Sequence, residues 1–137
     1  MSWSESILRL CVLILMTVMG IQDLRARRVS NYLTVPFFFA GLLANALRFF
    51  NAAVFEQVVF FQAIVIFAAY YGWMGGADMK VFVGLLGLFP MLGLIALCVT
   101  GMWGAVVWTY SQNRDATFPA VTVSAFAVAL TMIAGRL

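Results

Sequence analysis

Gly75-Gly76-Ala77-Asp78-Met79-Lys80 is a glycine-rich turn ending in a carboxylate and a lysine, and long apolar runs stand on both sides of it. One run ends at Trp73-Met74 and the next begins at Val81. An ionisable residue in such surroundings is costly unless it has a partner or a function. The glycines allow positive φ and let another chain come close. A second acid, Asp23, stands in an equivalent place at the end of another apolar run. The two carboxylates are expected to meet.

The composition sets the class. The chain has 137 residues, 65% of them hydrophobic and only 9% charged, where a soluble domain carries about 25% charged residues. Repeated apolar runs then read as an all-α polytopic membrane protein, a single transmembrane domain over residues 1–137 without a separate accessory domain. A transmembrane barrel is disfavoured, because barrel strands alternate polar and apolar positions while these runs are continuously apolar. The net charge of +3 is scattered, unlike the basic stripe of a nucleic-acid binder. Its one cluster, Arg25, Arg27 and Arg28, reads as a cytoplasmic topology signal. No histidine is present, which removes the usual general base and the commonest metal ligand. Cys11 and Cys98 lie far apart inside apolar runs without CxxC spacing and read as packing residues. A serine or cysteine triad lacks its base, no metal or cofactor is expected, and the carboxylates remain as the chemically capable side chains.

Working along the chain, Ile7–Gln22 reads as the first helix, with Arg9 near its outer end. It reads as a retained helix and not a cleaved signal, since Glu5 sits in its charged start and no A-x-A-like site follows. Asp23–Asn31 reads as a polar loop, and Tyr32 to about Phe50 as a second helix, with Pro36 near its first turn. Asn51–Gln57 reads as a connection and Val58–Met74 as a third helix, in which Ala68 and Gly72 form a small-xxx-small pair for close packing. Pro90 divides the rest into Met79–Phe89 and Met91–Tyr110; a single kinked helix over that stretch is the alternative, although it would exceed the usual spanning length. Ser111–Thr117 reads as a polar loop and Phe118–Leu137 as the last helix, which gives about six transmembrane helices.

With the Arg25–Arg28 loop in the cytoplasm, six spans place the Gly75–Lys80 turn and the Arg114 loop on that side, and Arg9, Arg48 and Arg136 on the other. Asp23 and Asp78 then fall at the same membrane face. Glu5 and Glu56 fall at the opposite face, and Asp115 sits beside Arg114 in a plain polar loop. Two carboxylates held close share a proton. The ionised one can take a proton from water while the protonated one polarises a carbonyl, which is amide hydrolysis without a covalent intermediate. The plainer reading makes Asp78 a helix cap and pairs Asp23 with the arginines that follow it. Lys80 reads either as a hydrogen-bond donor to substrate or a neighbouring loop, or as a snorkelling headgroup contact.

These residues resemble the type IV prepilin peptidases, aspartic peptidases of the inner membrane. The first part of the likeness is Asp23 followed by Val29-Ser30-Asn31, with Leu33, Pro36 and Gly41 beyond; the second is the glycine-x-glycine-aspartate motif with its lysine, here Gly75-Gly76-Ala77-Asp78-Met79-Lys80. Ala77 stands where the family usually has the second glycine, as in archaeal preflagellin peptidases, and Ser30 stands for a proline, which implies a less rigid loop. Phe118-Pro119 echoes a proline-containing segment before the family's last helix. The resemblance implies that Asp23 and Asp78 are catalytic and that Gly75, Gly76, Lys80 and Asn31 support the motifs. It implies a cytoplasm-facing active site that cuts short basic leaders from prepilin-like proteins just before their hydrophobic helix. The extra cytoplasmic cysteine region of methylating members is absent, which implies peptidase without methyltransferase activity, as in the short members serving tight-adherence pili. Two other readings use the same acids: an inactive relative that binds pilin-like helices, and a small proton or cation transporter subunit.

Overall fold

The computed structural model describes residues 3–26, 28–48, 51–111 and 118–134. Arg27, Phe50, the 112–117 stretch with Arg114 and Asp115, and Arg136 with Leu137 lie outside the described residues. The order of elements is α1 (Trp3–Ala26), α2 (Asn31–Leu47), α3 (Ala52–Tyr70), α4 (Gly76–Leu88), α5 (Pro90–Ser111) and α6 (Ala120–Ala134). Every described element is helical. α1, α3 and α5 are long and apolar enough to cross a membrane, while α2 and α6 are shorter apolar helices. Large apolar side chains such as Leu43, Phe60, Phe67 and Met102 stand exposed on the outer faces, the inverse of a water-soluble surface and the expected dress of a lipid-facing one.

Several boundaries differ from the sequence reading. α1 runs through Ala26, so Asp23 sits within the helix and not in the loop. Nothing in Asp23–Ala26 breaks a helix, and Arg25 in the last turn suits the negative end of the helix dipole. α2 starts at Asn31, capped by the Ser30 hydroxyl, which accepts from the Tyr32 amide at 3.3 Å. Ser30 thus supplies a cap that a proline side chain would lack. With that start, Pro36 is in the second turn, where it forgoes the backbone bond to the Tyr32 carbonyl.

α3 begins at Ala52, through the expected connection. It ends on Gly72 at φ 76, whose amide bonds the Ala69 carbonyl at 3.1 Å while the Trp73 amide bonds that of Ala68 at 2.9 Å. This is a Schellman stop. Gly72 is therefore a turn glycine: among the described residues a Cβ there would meet nothing within 4 Å, so the expected Ala68–Gly72 pair packs no neighbour among them. The chain does break between α4 and α5, at Phe89, as Pro90 implied. Cys11 and Cys98 lie on exposed faces instead of packing inside.

The chain divides into two compact units, residues 30–97 and residues 1–29 with 98–137. In the first, α4 is the core. Val81, Phe82, Val83 and Leu85 are fully buried, as befits a helix that is apolar all round. At 13 residues and about 1.5 Å per residue it is roughly 20 Å long, too short for a hydrocarbon core of about 30 Å. α4 lies between α2 and α3. The α2–α4 seam depends on glycine: a Cβ on Gly41 would fall 2.5 Å from the Gly84 Cα, and one on Gly87 would collide with the Gly41 backbone. Arg48, at the end of α2, donates to the Gly87 carbonyl and, at 2.7 Å, to that of Leu88, satisfying orphan carbonyls at the end of α4 with a cation. A buried chain of amides crosses the middle: Asn45 Nδ2 donates to Gln62 Oε1 at 3.3 Å, and Gln62 Nε2 donates to the Val83 carbonyl at 3.0 Å. Arg48 thus ties α4 to α2, and Gln62 ties it to α3.

In the second unit α1 packs on α6. Val12, Met16, Met19 and Asp23 form the buried stripe of α1, spaced four, three and four residues apart as one helical face requires. Gly20 lies in the same seam, where a Cβ would stand 3.1 Å from that of Ala125.

Candidate active site

Each candidate acid has a different setting, Asp23 in one unit and Asp78 in the other. Asp23 continues the apolar stripe of α1 and is only 7% exposed. Its Oδ2 accepts from the amides of Val121 at 3.0 Å and Thr122 at 3.3 Å. Those amides belong to the first turn of α6, where backbone N–H groups have no partner within the helix. The side chain of Thr122 returns the contact: its hydroxyl donates to the Gly20 carbonyl of α1 at 2.7 Å. The expected alternative, Asp23 paired with the arginines after it, is replaced among the described residues by this amide clasp.

Asp78 lies in the first turn of α4 and is half-buried. The cap of that helix is Gly75, which has extended backbone at φ −67 and ψ 147. The plain expectation that Asp78 is the cap does not hold, and the positive φ that glycine permits is not used at Gly75. The glycine matters for space: a Cβ on Gly75 would fall 3.0 Å from Asp78 Oδ2, whereas one on Gly76 would meet nothing within 4 Å. Met79 continues the helix, its amide bonding the Gly75 carbonyl at 3.0 Å. An acid in a first helical turn is favoured by the dipole, and Gly75 leaves its carboxylate room.

Lys80 and Asn31 come together across the sequence. The Lys80 ammonium donates to Asn31 Oδ1 at 2.9 Å, which joins the start of α2 to the start of α4. Of the roles open to Lys80, the neighbouring-segment bond is the one formed. Tyr70, Tyr71 and Trp73 stand exposed just before the glycine turn, with Tyr71 and Trp73 ring centroids 5.9 Å apart. Such aromatics mark the membrane–water level.

The sequence reading missed the α6 amides, Arg48 and the Asn45–Gln62 pair. Gln62 had a signal, as an amide in the middle of the apolar run of α3. The amides of Val121 and Thr122 had none, since every residue but proline carries one.

Comparison with curated proteins and with solved structures gives no significant match. The model of the type IV leader peptidase family matches residues 10–134. Since that match runs from the second turn of α1 to the last residue of α6, and takes in both aspartates with the helices that carry them, the chain belongs to the type IV leader peptidase family.

Proposed function

We propose that this peptidase is a membrane-embedded aspartic endopeptidase that removes short basic leaders from type IV prepilin-like proteins, with Asp23 and Asp78 as its catalytic pair. The observation that carries the reading is the family match across both acids. It is supported by the care with which each acid is placed, one by a buried clasp and one on the enclosed helix of its unit. In the reaction, one carboxylate takes a proton from water as the water oxygen bonds the scissile carbonyl carbon. The other, protonated, donates to the carbonyl oxygen. The C–N bond then breaks and the leaving amine takes a proton from the pair. Gly75 leaves room for the Asp78 carboxylate, while Lys80 and Asn31 hold the start of α4.

The proposed enzyme is a bundle of about six helices in the cytoplasmic (inner) membrane, one domain over residues 1–137, with both acids at the cytoplasmic face and α4, too short to cross the hydrocarbon core by itself, enclosed within its unit. It has peptidase activity without methyltransferase activity. Co-expression with candidate prepilins and a gel-shift assay of leader removal tests it. Wild type is expected to convert a leader-bearing substrate, while Asp23→Asn and Asp78→Asn, present at normal membrane levels, leave it uncut. Processing retained in either variant would remove that acid from the mechanism.

A further inference from the structure

The Asp23 clasp carries a more specific statement, which rests on the catalytic reading of Asp23. We propose that the N-terminus of α6 is the positioning element for that carboxylate. The amides of Val121 and Thr122 hold Oδ2, and Oδ1 is the oxygen that exchanges the proton with water.

The first-turn amides of α6 need acceptors, and the residue before the helix, Pro119, has no side-chain acceptor to offer. The cap is supplied instead from α1, by an acid 98 residues away from Val121. Both bonds go to the same oxygen. Two N–H donors on one oxygen make it an acceptor and leave the proton, when there is one, to the other oxygen. They also fix the carboxylate plane, because rotation about the Cβ–Cγ bond would break both contacts.

The seam around the clasp is built to keep it. Gly20, on the same side of α1 one turn before Asp23, brings α6 close. Thr122 Oγ1 ties α6 to the Gly20 carbonyl at 2.7 Å. Thr122 therefore holds α6 twice, through its amide on Asp23 and through its hydroxyl on Gly20. A helix cap alone would require the first contact only. Thr122 is a positioning residue in this account and touches no substrate.

The test uses the full chain in liposomes with a leader-bearing prepilin, and separates kcat from KM. Val121→Pro deletes one clasp amide at a first-turn position, where proline does not break the helix. Ala120→Pro places the same ring one residue earlier and leaves both amides. Thr122→Val removes the tie to Gly20 at nearly constant shape, and Thr122→Ser restores it. Val121→Pro is expected to lower kcat by on the order of tenfold to a hundredfold, the scale of a misplaced catalytic group, with KM unchanged. Thr122→Val is expected to lower kcat several-fold, and Thr122→Ser to recover most of it, while Ala120→Pro cleaves as wild type. Should Val121→Pro fail to reach the membrane, the Thr122 pair decides alone. Wild-type kcat in Thr122→Val, or a loss that Thr122→Ser does not repair, overturns the proposal. Asp23→Ala keeps the two levels apart. If it cleaves normally, the catalytic reading itself falls. If it is inactive while Val121→Pro and Thr122→Val keep wild-type kcat, only the positioning role falls.

Discussion

Asp23 and Asp78 are the same side chain placed by opposite means. Asp23 is buried in a helix–helix seam and held by amides from the far end of the sequence. Asp78 is half-buried in a first helical turn, where Gly75 just before it leaves room for the carboxylate. The clasp on Asp23 is a tertiary contact, whereas the cap and first turn that carry Asp78 are local. The difference predicts different weaknesses. Asp23 should be sensitive to whatever loosens the α1–α6 seam, and Asp78 to whatever moves α4 or crowds its cap.

The largest effect is expected from Gly41→Val. A Cβ at Gly41 already falls 2.5 Å from the Gly84 backbone, so the α2–α4 seam must open, at about 3 kcal/mol or more. Hydrogen exchange should rise across residues 76–88 while the Val121 and Thr122 amides keep their protection. Equal loss of protection at both places would mean that the two acids do not rest on separable supports. Next comes Asp23→Ala, which leaves two first-turn amides without an acceptor and should cost roughly 1–2 kcal/mol of thermal stability. Asp78→Ala should cost clearly less, because its carboxylate is half-exposed. A reversed order would break the comparison.

At the cap of α4, Gly75→Ala should reduce turnover more than Gly76→Ala, since only the first would press on the Asp78 carboxylate. Equal effects in a kcat comparison would remove the spatial role given to Gly75. The smallest effect belongs to the Lys80–Asn31 bond, which is solvent-exposed. A double-mutant cycle with Lys80→Ala and Asn31→Ala should give a coupling of about 0.5 kcal/mol. A coupling of zero would show that this bond adds nothing to the α2–α4 seam.

The same contrast explains how much of the molecule was legible in its sequence. The succession of helices follows from apolar runs and their breakers, and the break at Phe89 from Pro90. Helix ends were less legible. α1 runs past Asp23 because no breaker follows it, and α3 starts six residues early because Ala52–Gln57 contains nothing that resists a helix. Gly72 looked like a packing glycine and is a positive-φ stop. At the site, the pattern Gly75–Lys80 carried its own geometry, because a cap and a first turn are local events. The support of Asp23 was not legible. Its donors are backbone groups brought from α6 by folding, and no side chain announces them. Arg48 belongs to the same class: it looked like a charge at a membrane edge, and it closes the end of α4.

The central claim is that two acids so differently placed act as one catalytic unit. Single-turnover cleavage of a leader-bearing prepilin in liposomes measures this directly, with Asp23→Asn, Asp78→Asn and the double variant beside wild type. Residues that act as a unit are strongly non-additive. Each single change is expected to lower the rate by at least about a hundredfold, and the double variant to be no slower than either single one. A single variant that keeps near wild-type cleavage, or single losses that multiply in the double variant, would contradict it.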